Sequence, residues 1–122
     1  MTHFGRNVKL SIDEALRDDV RRFYERGLGC ARGASGDRFD QFLFDAGESV
    51  GVFYVEAAEA LPDAAWAFAP WLEYLVDDVP AAEARLLAAG AVRVPFHDTK
   101  HPYLRGPGGP VFRLAPREAA AK

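Results

Sequence analysis

The sequence predicts an α+β domain made of two βαβββ modules, whose strands form one larger curved sheet. The main observation is an internal repeat. Residues 7–30 and 71–92 each contain an alternating strand, a pair of acids, a helical segment and a closing glycine. Three shorter strand-like segments follow each copy. With 122 residues, 49% hydrophobic and 12% aromatic, the chain is the right size for a single domain with a packed core.

In the first module, the opening strand alternates with period two, so its two faces differ. The apolar face carries Val8, Leu10 and Ile12, and the polar face carries Asn7, Lys9 and Ser11. Ser11 or Asp13 is expected to cap the helix that follows, and Gly27 and Gly29 to end it. Later strands are predicted at about 30–34, 38–45 and 49–56, with "SGD" and "DAGES" as turns.

The second module repeats this plan in a shorter form. Its opening strand alternates Leu72, Tyr74 and Val76 with Trp71, Glu73 and Leu75. Asp78 is predicted to cap the helix, Pro80 is tolerated in the first turn, and Gly90 ends the helix. The buried positions of this helix are expected at Ala84, Leu87 and Ala88. Strands are predicted at about 91–96, 102–105 and 110–115.

A single domain over residues 1–122 is predicted, because one βαβββ unit leaves a sheet face uncovered and two units cover each other. Module one spans about 1–57 and module two about 71–116. Between them, about 58–70, lies an apolar linker. Its Trp66 and Phe68 are interpreted as either contact surface or core.

Composition excludes several classes of function. The net charge is −3 and no basic stripe is present, which argues against nucleic acid as a partner. The single cysteine suits a reducing compartment. The N-terminal sequence has no signal-peptide pattern, and no stretch approaches the roughly 20 apolar residues that cross a bilayer. We therefore expect a cytoplasmic protein without a membrane partner.

Three segments together resemble the vicinal oxygen chelate superfamily, which includes glyoxalase I, bleomycin-resistance proteins and extradiol dioxygenases. They are "FYERGLG" (23–29), "LEYLVDDVPAAEARLLAAGA" (72–91) and "YLRGPGGPVFRL" (103–114). The resemblance implies the glyoxalase/bleomycin resistance/dioxygenase fold, in which curved sheets form a cup that holds the ligand. It also implies, for the enzymes of the group, a divalent metal held by His, Glu or Gln from the first and last strands of each module.

The family's metal positions carry unsuitable residues in this chain. They correspond to Asn7 and Trp71 in the two opening strands, to Arg113 in the last strand, and to Val52 or Phe53 in the fourth strand. Indole has no free lone pair, and a guanidinium has no acceptor and stays charged. Asn is a weak oxygen ligand suited to hard cations. We therefore expect no metal and no other cofactor.

A ligand site is predicted on the cup side of the strands. By parity, Phe112 and Leu114 point to the helices, whereas Val111, Arg113 and Ala115 point into the cup. The predicted ligand-binding residues are Asn7, Lys9, Ser11, Phe53, Trp71, Glu73, Tyr103 and Arg113. In one interpretation, Trp71 stacks on a planar ligand while Arg113 binds a carboxylate or phosphate. In the other, Arg113 only pairs with Glu73 across the cup.

The segment "PFHDTKHPY" (95–103) places His97, Asp98 and His101 within five residues. Pro95 and Pro102 bracket it, so a loop is predicted instead of the helix that an H-x3-H zinc site needs. Both histidines are interpreted as ordinary surface residues, with a catalytic His at the mouth of the cup as the alternative. Cys30 is expected to be a small buried residue and not a nucleophile.

Three functions remain open from the sequence. The first is a metal-independent small-molecule-binding protein, similar to the bleomycin-resistance branch, in which two chains form a homodimer with the ligand between them. The second is a metal-dependent lyase, isomerase or dioxygenase with relocated ligands drawn from His97, His101, Glu73 and Glu56. The third is a scaffold that acts through its dimer surface without a ligand. No catalytic residue is assigned.

Overall fold

The computed structural model describes residues 1–117 and contains two four-stranded mixed sheets. Sheet one is built from β1 to β4, which span Asn7–Asp13, Ala31–Gly36, Phe39–Leu43 and Ser49–Val55. Its strand order is β1-β4-β3-β2, with β1 parallel to β4 and the other pairs antiparallel. The predicted α+β fold with strands following each helix is confirmed.

Sheet two repeats the topology of sheet one. It consists of β5 to β8, which span Leu72–Val76, Val92–Arg93, Tyr103–Arg105 and Val111–Pro116. The order is β5-β8-β7-β6, again with one parallel pair, β5 and β8. β6 is much shorter than the predicted 91–96, because Pro95 has no backbone N–H to extend the ladder.

The helical segment of module one begins at the predicted acid. The Asp13 carboxylate accepts a hydrogen bond from the Ala15 backbone N–H at 2.9 Å. A 3₁₀ turn then leads into helix α1, and a π-helical stretch ends the segment at Gly27. These three parts span Glu14–Leu16, Arg17–Arg22 and Phe23–Gly27.

Helix α2 spans Val79–Ala88, and the Asp78 side chain caps it by accepting from Ala81 N at 3.0 Å. The predicted buried positions were wrong. Ala84 and Ala88 are exposed and Leu87 is only half-buried, whereas the face that packs inward carries Ala82, Leu86 and Ala89. The reason is the contact with Gly27, where an added Cβ would lie 3.0 Å from Leu86 and 3.2 Å from Ala89.

The core lies between the helix-facing sides of the two sheets. Phe23, from the π-helical stretch, contacts Phe112 of β8 with ring centroids 5.8 Å apart. Tyr24 stacks on Phe42 of β3 at 4.7 Å. The helical segment of module one therefore packs on both sheets and joins the modules, as expected if each module covers the other.

The linker contributes to this core through one of its two large aromatics. Trp66 is buried, whereas Phe68 is almost wholly exposed. Gly109 lies directly against the Trp66 ring, where an added Cβ would be 2.1 Å from Cε2, and its φ is +93°. Only glycine fits this position without rearrangement. Within residues 1–117, no helix is long and apolar enough to cross a membrane.

A buried carboxylate stabilises module one. Asp40 is completely buried and accepts hydrogen bonds from Arg17, Arg21, Ser35 and Tyr54, the shortest from Ser35 Oγ at 2.6 Å. Burial alone would raise the pKa of Asp40, but these donors outweigh it and hold the pKa well below its usual range. Sequence reasoning missed this network.

Candidate functional site

The outer face of sheet two, the side away from the core, presents a row of three cross-strand neighbours. The register pairs Glu73 of β5 with Arg113 of β8, and Arg113 with Tyr103 of β7. Residues that are directly opposite in register share a face. The flanking Phe112 and Leu114 are 0% exposed, so the predicted alternation at Arg113 is confirmed.

On β8, fewer residues of the predicted cup face are exposed than expected. Val111 and Ala115 share the parity of Arg113, but both are buried, at 2% and 8% exposure. On this strand the outer face is therefore open mainly at Arg113.

Arg113 forms the ion pair that one of the two interpretations anticipated. Its Nε lies 2.7 Å from Glu73 Oε2, and its Nη1 lies 3.7 Å from Asp98 Oδ2. The side chains of Arg113 and Glu73 are 39% and 41% exposed. A guanidinium has five N–H donors; in Arg113 the Nε donor is used by Glu73, and Nη1 faces Asp98.

Asp98 holds the β6–β7 loop against this face. It accepts from the Lys100 backbone N–H, from the Tyr103 hydroxyl and from His101 Nδ1, each at 2.8 Å. These hydrogen bonds hold the pKa of Asp98 well below its usual range. The segment forms a loop, as predicted, with His97 exposed and His101 partly buried.

Three aromatic rings cover one end of the row. The ring centroids of Trp71, Phe96 and Tyr103 lie 4.7 to 5.6 Å apart, and Trp71 Nε1 donates to the Trp66 carbonyl at 3.2 Å. Trp71 is thus held by protein contacts. Phe96 presents the most exposed ring of the three, at 42%. Phe96 is not among the predicted site residues, and its only signal in the sequence is its position beside the His97–His101 segment.

The outer face of sheet one carries the remaining predicted residues. The Lys9 ammonium lies 5.0 Å from the centre of the Phe53 ring, and Phe53 packs on Phe39 at 4.7 Å. Asn7 Oδ1 accepts a hydrogen bond from Ser49 Oγ at 2.6 Å. Ser11 is half-buried and stands in register with Phe53.

The predicted residues therefore form two groups, one on each sheet. Within residues 1–117, no hydrogen bond, ion pair or aromatic contact links Asn7, Lys9, Ser11 and Phe53 with Trp71, Glu73, Tyr103 and Arg113. Two cavities, of about 720 and 310 Å³, lie between the modules. Glu73 is among the residues that line the larger one, and Lys9 and Ser11 are among those that line the smaller one, whereas Trp71 and Arg113 line neither. In one chain the site is an open surface instead of an enclosed cup.

The residues at the family's metal positions do not fit a divalent cation. In sheet two, Trp71 lies two residues before Glu73, and Glu73 is paired in register with Arg113. In sheet one, Asn7 lies two residues before Lys9, and Lys9 is paired in register with Gly51. Gly51 is thus the counterpart of Arg113, which corrects the expected Val52 or Phe53. Val52 is fully buried, and glycine has no side chain to coordinate a metal.

The candidate ligands of the second hypothesis are dispersed. Glu73 is paired with Arg113 on sheet two, His101 lies in the β6–β7 loop with its Nδ1 bonded to Asp98, and Glu56 follows the end of β4 in sheet one. Within residues 1–117, no three His, Cys, Asp or Glu side chains form a metal-holding group. Cys30 is buried, which raises the pKa of its thiol to about 12 and leaves it a poor nucleophile.

No protein-family model matches the sequence, and no curated protein matches it significantly. Solved structures do match. A glyoxalase-related enzyme from Fulvimarina pelagi superposes with a TM-score of 0.67 at 19% identity, over 96% of this chain and 90% of that one.

Two further structures agree. A glyoxylase/bleomycin resistance protein/dioxygenase domain from Frankia sp. gives a TM-score of 0.68 at 18% identity, covering 93% of this chain and 97% of its own. A possible glyoxalase from Bacillus cereus gives 0.66 at 17% identity, with coverages of 93% and 98%. The chain has the glyoxalase/bleomycin resistance/dioxygenase fold, as its resemblance to the vicinal oxygen chelate superfamily predicted. At these identities the likeness extends to the fold and not to an activity.

Proposed function

We propose that the protein is a metal-independent small-molecule-binding protein of the glyoxalase/bleomycin resistance type, with its ligand on the outer face of sheet two. The observation that carries the proposal is the exposed Phe96 ring, which packs on Trp71 and Tyr103 beside the row of Glu73 and Arg113. A planar ligand stacks on Phe96 and accepts hydrogen bonds from the Arg113 guanidinium.

Metal independence rests on the chemistry of four positions. At these positions, Asn7 supplies one weak oxygen ligand and Gly51 has no side chain. Trp71 supplies an indole without a free lone pair, and Arg113 supplies a cation. An Arg at a carboxylate position would repel a dication. The metal-dependent alternative has no comparable support, because no group of three candidate ligands is assembled among residues 1–117.

We further propose that a homodimer encloses the site. Each chain has two open outer faces, and an offset of 64 residues relates Lys9 on the first to Glu73 on the second. Opposing faces of two copies would bring opposite charges together and cover the exposed Phe53 and Phe96. Lys9→Glu is expected to weaken the dimer in sedimentation velocity, whereas Arg38→Glu, in the exposed β2–β3 turn, leaves it unchanged. A monomeric wild type would contradict this part.

The ligand site is tested by metal analysis and a thermal-shift screen of aromatic acids, phenols and drug-like molecules on one preparation. Hits are expected to raise the Tm with and without chelator. Phe96→Ala and Arg113→Gln should each weaken a hit by about ten-fold, the size of one stacking or charge-assisted contact. Phe68→Ala, an exposed aromatic in the linker, is the matched control. Stoichiometric metal, or hits that all three variants bind equally, would refute the proposal.

A further inference from the structure

Asp98 fixes the protonation pattern of His101. The carboxylate accepts from three donors at 2.8 Å and lies 3.7 Å from Arg113 Nη1. An ionised carboxylate only accepts hydrogen bonds, so His101 Nδ1 must be the donor in this contact. The neutral imidazole is therefore the Nδ1–H tautomer, and its Nε2 carries a lone pair.

No hydrogen bond of His101 Nε2 is found among residues 1–117, where the ring contacts Asp98 through Nδ1. The His101 side chain is 28% exposed. Through Asp98 it is connected to Tyr103 and Arg113, and Tyr103 contacts the Phe96 ring. A base is thus placed beside the aromatic surface and the cation of the proposed ligand site.

We propose that His101 Nε2 accepts a proton from the ligand, and that the ligand is a planar organic molecule with an acidic hydroxyl, such as a phenol. The inference rests on the proposed function, because the ligand stacks on Phe96. On binding, the O–H bond of the ligand breaks and an Nε2–H bond forms. The electron pair stays on the ligand oxygen, which faces the new imidazolium and the guanidinium of Arg113. Asp98 neutralises the imidazolium.

The tautomer is tested first, by two-dimensional ¹⁵N NMR of the histidine rings. In the wild type, neutral His101 is expected to carry its proton on Nδ1. In Asp98→Asn the side chain can donate as well as accept, so the preference should be lost. An Nε2–H tautomer in the wild type would overturn the proposal, since Nε2 could then not accept a proton.

Proton transfer is tested with 4-nitrophenol, whose anion absorbs visible light, and with 4-nitroanisole, its methyl ether without an acidic proton. Slightly below the pH at which free nitrophenol ionises, binding to the wild type should increase the absorbance of the anion. His101→Asn keeps a donor at the position of Nδ1 but has no base. It should abolish that increase and weaken nitrophenol binding by about ten-fold or more, leaving nitroanisole binding unchanged. His3→Asn, at an exposed N-terminal residue, is the control.

The outcomes separate the two proposals. Suppose that Phe96→Ala and Arg113→Gln weaken nitrophenol binding but His101→Asn behaves as the wild type. The ligand site would then be supported, and the assignment of His101 as the proton acceptor would be refuted. If wild-type protein binds neither probe, the phenol-type ligand is refuted, and the wider screen then decides on the ligand site. A purely structural role of His101 would lower the Tm of His101→Asn without altering the nitrophenol spectrum.

Discussion

Replacing Asp40 by Asn is expected to destabilise the protein more than any other single charge removal in module one. The side chain is completely buried, and Arg17 and Arg21 reach it at 3.2 and 2.8 Å. Ser35 and Tyr54 also donate to it. Asn keeps the shape but removes the charge, and its NH₂ group faces donors where an acceptor is needed.

The magnitude follows from the exposure of the partners. Breaking a buried ion pair costs about 3–5 kcal/mol. The side chains of Arg17 and Arg21 remain 23% and 27% exposed, so water can partly solvate them and the lower end, about 3 kcal/mol, is expected. At an unfolding entropy of about 2.1 cal/mol/K per residue, 122 residues give about 4 °C per kcal/mol, hence a fall in Tm of about 12 °C.

The assay is thermal unfolding of wild type and Asp40→Asn by circular dichroism, at neutral pH and again below pH 4. Because the folded pKa of Asp40 is lowered, its stabilisation is present above the unfolded pKa, about 3.9, and is lost as the pH falls toward the folded pKa. The difference between the two proteins should therefore shrink in acid. Asp37→Asn, in the exposed turn before β3, should change the Tm by less than about 2 °C. If the Tm of Asp40→Asn changed by less than about 2 °C as well, the predicted stabilisation by the buried Asp40 carboxylate would be refuted.

Three further outcomes test the packing. Gly109→Ala forces a methyl group into the Trp66 ring at a φ of +93°, so we expect a loss of at least about 2 kcal/mol in urea unfolding; unchanged stability would contradict the contact. Leu86→Ala, at a fully buried position, should cost about 2–5 kcal/mol. Leu87→Ala, half-buried on the neighbouring face, should cost clearly less, and the reverse order would restore the originally predicted helix face. Buried Cys30 should react with a thiol reagent only on unfolding, so rapid labelling of the native protein would show that its surroundings open.

Local sequence patterns predicted the fold well, because they act through short-range physics. Alternation at period two depends only on the pleat of the strand, so it located β1 and β5 and the outward direction of Arg113. The caps Asp13 and Asp78 depend only on the backbone N–H groups of the next turn. These features need no knowledge of what packs on the chain.

Features that depend on tertiary contacts were missed. The inward face of α2 is set by its contact with Gly27. The Nε of Arg85, in α2, donates a hydrogen bond to the Gly27 carbonyl, although the two residues are 58 positions apart in the sequence. Asp40 could have been found, because it alternates with Phe42 and thus falls on the core face of β3. A carboxylate at such a position requires buried partners. Phe96 lies in a loop, where no periodicity indicates its direction.

The difference between the two outer faces explains why the ligand is assigned to module two. Equivalent register pairs are Lys9 with Gly51 and Glu73 with Arg113. In sheet one, the glycine lets the Phe39 ring lie close to the strand, where an added Cβ would be 3.1 Å from Cε1, so an apolar ring covers the middle of that face. In sheet two, the same place holds the Arg113 guanidinium, which is paired with Glu73 and lies near His101 and the exposed Phe96 ring. The repeat thus presents two equivalent surfaces, and the proposal places the ligand on the second, where a guanidinium, a histidine and an exposed ring lie together.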